Sequence, residues 1–273
     1  MTVKSNGHIK FSVIFAIQSM DHMKRILVFS ITLGLFSLIF TNCKDEDPKP
    51  FKQNVALEIN HTWGDSAFLL NKTYFWDHIN RTDTITPTKL IYHINHLKLL
   101  TEDSQEIAAD FTYYMFNFEE NSFLPKNISF TTPKEGVKYY VNSLEFTIGV
   151  ADSAVNADNL LGSQFISPMY WGMIQGYINF KFEALNPKVS ALIYHIGGYL
   201  PPYQNARKVR LVFNKPYLLN QTNLLTINAD IFKFLSSANS IDVEKVNLIH
   251  EPNADSKLLA DNIPSIFSFK SLK

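Results

Sequence analysis

Apolar and polar residues alternate along much of the chain from Asn54 onward. In residues 143–150, which read SLEFTIGV, every second residue is apolar and the residues between are polar or small. Further segments of this kind are VALEI, TKLIYHINHLKL, YINFKFEAL, SALIYHIGGY, KVRLVF and LLTINADIF. A period of two places neighbouring side chains on opposite faces of a strand. Because Asn, Asp, Pro and Gly clusters separate the segments, we predict an all-β fold, an antiparallel β-sandwich of one domain over residues 54–273.

The segment PMYWGMIQGYINF, residues 168–180, is rich in aromatic residues and methionine. Read as one strand, it puts Phe180 on the core face and Met169, Trp171 and Met173 on the outer face. Such large apolar side chains on an outer face need an explanation. Either a bulge at one of the glycines turns them inward, or a loop or second layer covers them, or they line a binding site.

Two basic residues, Lys24 and Arg25, precede an apolar run over residues 26–40 and then Cys43. This layout is typical of a secretory signal, and the run is too short for a comfortable membrane-spanning helix. A cysteine at its end resembles a bacterial lipoprotein signal, in which Cys43 would be lipidated and would begin the mature chain. A plain cleaved signal with an incidental thiol is the alternative.

These features divide the chain that precedes the sandwich into three parts. Residues 1–22 carry only a weak apolar patch, so we interpret them as an extension upstream of a true start at Met23. Residues 23–42 are the predicted signal peptide, and residues 43–53 combine the lipidated cysteine with an acidic, proline-containing tether. The expected product is an outer-membrane lipoprotein, periplasmic or surface-exposed, that its lipid anchor holds at the membrane.

Composition narrows the classes of function. The formal net charge is zero and the basic residues form no stripe, so a nucleic-acid partner is not expected. The single cysteine excludes an intrachain disulfide framework. The sequence shows neither paired carboxylates nor a nucleophile and base with supporting spacing, so we do not expect an enzyme.

Histidine is the natural candidate for a metal ligand in this chain. His195 lies in LIYHIGGY, just before a Gly-Gly turn, while His61 and His78 each lie two residues from a tryptophan. His93 and His96 are three apart on a predicted strand, so they point to opposite faces and are not expected to bind one ion together. Simple packing or solvent exposure is the alternative for each of these side chains.

Several of these segments also occur together in one order. HTWGDSAFLL and KLIYHINHLKLL come first, and FTIGVADSAVNAD, GSQFISPMYWGMIQGYINFKFEAL and LIYHIGGY follow. In this combination, residues 55–269 resemble the copper-binding domain of the methanobactin periplasmic binding protein (MbnP-like) family.

The resemblance implies a secreted or lipid-anchored β-sandwich that binds copper through histidines, for copper acquisition, storage or handling. His195 matches the family pattern best and His61 is next, while Trp171 is the tryptophan of the strongest motif. In some members a tryptophan at the site is oxidised to kynurenine by a diheme peroxidase-like partner enzyme. Imidazole suits copper in either oxidation state, and thioether suits Cu(I). The further candidates for the site are Trp63, His78, His93, Met169 and Met173.

A surface lipoprotein that binds a glycan or a protein partner without metal is the alternative function. In that case exposed Trp171, Tyr170 or Tyr203 would stack on a sugar ring or an apolar patch. A cluster of histidines would favour copper, and a planar row of aromatic rings would favour sugar.

Overall fold

The structure is a computed structural model that describes residues 50–78, 81–119, 128–150, 169–172 and 176–273. The predicted signal peptide and Cys43 lie outside the described residues. Neither of the two helices in the described part of the chain has the length and hydropathy of a membrane-spanning segment. The described residues form a sandwich of two β-sheets, so the all-β expectation is confirmed.

The strands and helices follow one another along the chain in this order: β1 (Asn54–Trp63), β2 (Ser66–Ala67), β3 (Tyr74–His78), β4 (Arg81–Thr101), β5 (Glu106–Ala108), β6 (Tyr113–Asn117), β7 (Ile128–Thr131), β8 (Tyr140–Ile148), β9 (Tyr170–Gly172), β10 (Gly176–Asn186), β11 (Ser190–Gly197), β12 (Arg207–Leu218), β13 (Thr222–Asp230), α1 (Phe232–Leu235), β14 (Leu248–Ile249), α2 (Ala254–Ile266) and β15 (Phe267–Leu272).

The smaller sheet has the strand order β15-β13-β1-β2, and β7 also pairs with β1. β1 and β13 run parallel, and so do β11 and β14 in the larger sheet, whereas the other pairings are antiparallel. The sandwich is therefore mostly antiparallel, as expected, and has two parallel pairings. They join strands that are distant in sequence, and alternation within a strand carries no information about the direction of its neighbour.

The larger sheet has ten strands in the order β12-β8-β4-β10-β11-β14, with β3, β5, β6 and β9 attached at the side. Its long strand β4 carries two collinear neighbours on one edge. β6 pairs with β4 over Ile91–Asn95, so β8 and β10 must share the opposite edge. β8 pairs with β4 from Ile94 onward, and β10 pairs with it as far as Tyr92. The chain therefore leaves the sheet after β8 and returns in β10, and both points flank His93.

Side chains of both sheets meet in an aromatic core between them. From the larger sheet this core receives every second residue of its strands, including Tyr92 and Ile94 of β4 and Phe180 and Phe182 of β10. Helix α2 contacts strands of both sheets and buries Leu259 and other apolar side chains against them. Residues on the opposite, outer face of the larger sheet alternate with these core residues.

The segment 168–180 is not one continuous strand. β9 and β10 form an antiparallel hairpin, with Gly176 at a positive φ of 72° that a glycine accommodates readily. Phe180 reaches the main core as predicted, but Ile178 joins a separate cluster on the outer face with Ile91, Met115 and Met169. Met169 is buried in this outer-face cluster, and Trp171 packs against it.

Candidate metal centre

His61 lies on β1 and points into the space between the two sheets. Its Nε2 shares a hydrogen bond of 2.6 Å with the Tyr92 phenol, and its ring centre lies 5.7 Å from Phe116 and 4.7 Å from Phe118. Burial lowers the pKa of His61 to about 4, so its imidazole is neutral near pH 7. The side chain has the polar partner and the aromatic packing that a core histidine requires.

His195 lies on β11, on the outer face of the larger sheet. Its Nε2 is 2.8 Å from Oε1 of Glu183, and Nζ of Lys89 lies 3.6 Å from the other oxygen of that carboxylate. Burial lowers the pKa of His195, and the hydrogen bond with Glu183 opposes this shift. The imidazole is therefore part of a polar network that extends across β4, β10 and β11.

The structure does not bring these two histidines together. His61 contacts Tyr92 in the inner core, whereas His195 bonds to Glu183 on the far side of the same sheet. The backbone of the larger sheet separates their rings, so one ion cannot bind to both. Their roles as ligands remain predictions, and at most one of them belongs to any single site.

Trp171 and His195 do lie on the same face. The indole covers Gly197, where an added Cβ would come within 2.6 Å of Cζ3 of Trp171. Gly197 is two residues after His195 on β11, so both side chains are on the outer face. The first glycine of the HIGG motif therefore leaves space for the tryptophan of the MYW motif. Trp171 also packs against the cluster of Ile91, Met115, Met169 and Ile178.

The other candidates are distributed over the molecule. Trp63 is buried in the inner core, where its ring stacks on Tyr74 at 5.2 Å and its Nε1 donates to the Phe75 carbonyl at 3.1 Å. Met169 is fully buried in the outer cluster. The side chain of His78 and the whole of Met173 lie outside the described residues.

His93 is the most unusual histidine of the described part of the chain. Tyr92 and Ile94 point into the inner core, so His93 between them faces outward. It is completely buried, yet neither of its ring nitrogens has a hydrogen-bond partner among the described residues. Burial lowers its pKa to about 4. The Tyr177 ring stands edge-on at 6.2 Å. The result is a neutral imidazole with an unused nitrogen lone pair.

Two asparagines hold together the chain ends that flank His93. The Val150 amide donates to Oδ1 of Asn179 at 3.0 Å, and Nδ2 of Asn95 donates to the Gly149 carbonyl. Oδ1 of Asn95 and Nδ2 of Asn179 are buried without a partner in the described part of the structure. These two hydrogen bonds therefore fix the end of β8 beside β4 and β10, and one amide atom of each asparagine remains without a hydrogen bond.

Met115 was not recognised from the sequence as a candidate. It is the register partner of His93 on β6 and belongs to the same buried cluster as Met169. Only the pairing of β4 with β6 reveals this neighbour, because no local pattern links residues so far apart. Among the described residues, no group of three or more His, Cys, Asp or Glu side chains could hold a metal ion. A metal site at His93 would therefore need ligands of other types, such as thioether sulfur.

Comparison with known proteins agrees with this architecture. The structure of MbnP from Methylosinus trichosporium matches with a TM-score of 0.50 and 14% sequence identity, covering 81% of this chain and 98% of that one. This likeness supports the fold. No curated protein matches the chain. The sequence model of the MbnP family matches residues 52–254, which is most of the described sandwich, and the chain therefore belongs to the MbnP family.

Proposed function

We propose that this chain is an exported copper-binding protein whose ion is held on the outer face of the larger sheet, with His93 as a ligand. The observation that carries the proposal is the complete burial of His93 with both ring nitrogens unpaired among the described residues. A buried polar group without a partner costs about 1–3 kcal/mol, so such a residue is expected to have a functional partner.

The chemistry of His93 suits copper. A metal ligand must be the neutral imidazole, and burial keeps His93 in that form well below pH 7. Met115, the register partner of His93, adds thioether sulfur, which binds copper in preference to hard cations such as Mg²⁺ or Ca²⁺. The chain belongs to the MbnP family, and the resemblance to that family implied copper, which supports the same choice of metal.

Trp171 and His195 lie on the same face and would have a secondary role. Trp171 packs directly on the methionine cluster, so its indole would shield the ion or, if oxidised by a diheme peroxidase-like partner, alter the site. His195 lies two strands away from His93 and is paired with Glu183.

Export and anchoring complete the proposal. The basic residues, apolar run and Cys43 predict a lipoprotein of the outer membrane. A copper protein at that location would acquire, store or hand over the metal outside the cytoplasm.

The proposal is tested by the metal content of the exported chain, purified without chelator and titrated with copper. We expect one copper per chain, lost in His93→Gln and retained in His96→Gln, which alters an exposed histidine three residues away. Circular dichroism of both variants checks folding. Failure of the wild-type chain to bind copper would overturn the function and favour the glycan- or partner-binding alternative. Binding retained in His93→Gln would overturn the location of the site.

A further inference from the structure

The described chain begins at Pro50, beside the loop that leads into β8. The Gly136 amide of this loop donates to the Phe51 carbonyl at 3.1 Å. The side-chain amide of Gln53 donates to the Val137 carbonyl at 2.8 Å. Two hydrogen bonds therefore fix the segment that follows the predicted tether to the end of the sandwich where β8 starts.

Four large apolar side chains are exposed at this end. Phe51 and Val137 come from the two joined segments, Tyr140 begins β8, and Leu218 at the end of β12 is the register partner of Tyr140. Each is 38–43% exposed, so each has surface left to contact another body. We call these four residues the anchor-side patch. Single exposed apolar residues are common, but a group of them is typical of a surface that meets a protein or a membrane.

The charges around the anchor-side patch cancel. The same segments expose three lysines, Lys52, Lys134 and Lys138. The exposed acidic residues are Glu135 of the same loop and, in the turn after β4, Glu102 and Asp103. That turn lies at this end because the Glu102 amide donates to the Tyr140 carbonyl at 2.9 Å. Apolar contact, and not net charge, would therefore drive binding to a membrane. A tyrosine ring and long lysine stems suit the boundary between headgroups and acyl chains.

The proposed lipid anchor brings a bilayer within reach of this end. The seven residues from Cys43 to Lys49 span at most about 25 Å when fully extended. Phe75 provides a contrast, because it is 77% exposed but pairs with Thr84 near the start of β4. The strand from Thr84 to Thr101 covers roughly 50 Å. The exposed ring of Phe75 is therefore at the far end of the larger sheet.

We propose that the anchor-side patch docks on the lipid bilayer in which the Cys43 anchor is inserted. The inference rests on the proposed export and lipidation, and it adds the surface by which the sandwich meets the membrane. Phe51, Val137, Tyr140 and Leu218 enter the boundary between headgroups and acyl chains. The end that carries Phe75 points away from the bilayer.

The experiment uses the full exported chain, reconstituted in vesicles of phosphatidylethanolamine and phosphatidylglycerol. Intact mass first establishes whether Cys43 carries lipid. Cys43 is the only cysteine, so a cysteine introduced into the lipidated chain takes up a nitroxide label at one position. We expect the label of Val137→Cys to lose access to a water-soluble nickel complex severalfold on reconstitution. The label of Phe75→Cys, at the far end, should keep its access.

A second set of variants separates docking from the tether. Phe51→Glu with Tyr140→Glu should return the Val137→Cys label to the access it has without vesicles, because burying a carboxylate among acyl chains is costly. Phe75→Glu is the matched control and should leave the protection unchanged. High salt should also leave it unchanged, because screening weakens charge contacts and not apolar ones. Circular dichroism checks the folding of each variant.

The outcomes separate the surface from the anchor. A lipidated chain in which the Val137→Cys label stays as accessible as the Phe75→Cys label would overturn the docking and leave the anchoring intact. Protection that persists in the double glutamate variant, or that disappears at high salt, would overturn the apolar contact. A chain without lipid on Cys43 would overturn the anchoring and the docking together, whereas copper content would still test the proposed metal function.

Discussion

The two faces of the larger sheet treat buried polar groups differently. On the inner face, His61 bonds to Tyr92, and the Tyr194 phenol donates to the Val246 carbonyl at 2.6 Å. On the outer face, neither ring nitrogen of His93 has a hydrogen-bond partner among the described residues. Oδ1 of Asn95 and Nδ2 of Asn179 also lack a partner there. The inner face is built for stability. The outer face retains nitrogen and oxygen atoms without hydrogen bonds, and these lie where β8 ends and β10 begins.

His61 and His93 show the difference between the two faces for one residue type. Burial lowers the pKa of each to about 4. They differ in what the ring nitrogen contacts, a phenol for His61 and no polar partner in the described structure for His93. Burial and charge state alone therefore do not distinguish a core histidine from a candidate ligand, whereas hydrogen bonding does.

The largest loss of stability should come from Gly149→Ala, which changes the contact between Gly149 and Asn179 on the outer face. Gly149 has a φ of +107°, and an added Cβ would come within 2.7 Å of the Asn179 Cβ. Strain and overlap together should lower the free energy of unfolding by about 3 kcal/mol. Gly64→Ala is the matched control, since Gly64 also has positive φ but has no atom nearby, and it should cost about 1 kcal/mol. Urea unfolding measures both, and equal losses would show that the junction is not tightly packed.

The inner-face histidine should make the stability of the metal-free protein depend on pH. The folded pKa of His61, about 4, is below its unfolded value near 6.5, so between these values the unfolded chain binds more protons. The contribution of His61 to the free energy of unfolding is fully present above pH 6.5. It falls by about 3 kcal/mol as the pH drops towards 4. Urea unfolding at several pH values should show a shallower slope in His61→Gln than in wild type. The slope of His96→Gln, an exposed control, should match wild type, and equal slopes in all three proteins would contradict this account.

Leucine at each buried histidine should shift stability in opposite directions. His61→Leu leaves the Tyr92 phenol without its partner and should destabilise the metal-free protein by about 2 kcal/mol. His93→Leu removes a buried polar group that has no partner and should stabilise it by about 1 kcal/mol, while abolishing copper binding. Thermal unfolding without metal compares the two. Destabilisation by His93→Leu as large as that by His61→Leu would show that the outer face is built like the inner one.

The smallest effect should come from Glu183→Gln, at the edge of the outer face. The carboxylate contacts His195 and Lys89 near solvent, so its loss should change the free energy of unfolding by less than about 1 kcal/mol. Because Glu183 raises the pKa of His195, the variant should lower that pKa further, as NMR titration would show. Copper content should be unchanged. A loss of copper in this variant would show that the metal site includes His195 as well as His93.

Local pattern predicted the strands well but not every element. The alternation of SLEFTIGV matches β8, and that of YINFKFE separates the core phenylalanines from the outer Asn179 and Lys181. Helix α2 was missed, although Asn253 and Ser256 form a capping box at its start. Pro264 near its end and the surrounding strand-like segments concealed the signal. The pairing of β9 with β10 was missed because a hairpin and a single strand share the same alternation.

What the sequence determined by itself is the side of a regular strand on which a residue lies, because side-chain direction follows from a period of two. The rule fails where the strand is irregular, as between Ile178 and Phe180. The sequence therefore predicted that Phe180 would face the core, whereas it left open whether Trp171 turns inward, is covered or lines a site. Only the tertiary structure decided which strands are neighbours. It placed His61 and His195 on opposite sides of a sheet, and it set Met115 opposite His93. These contacts depend on strand register and on where the chain re-enters the sheet, which no local pattern encodes.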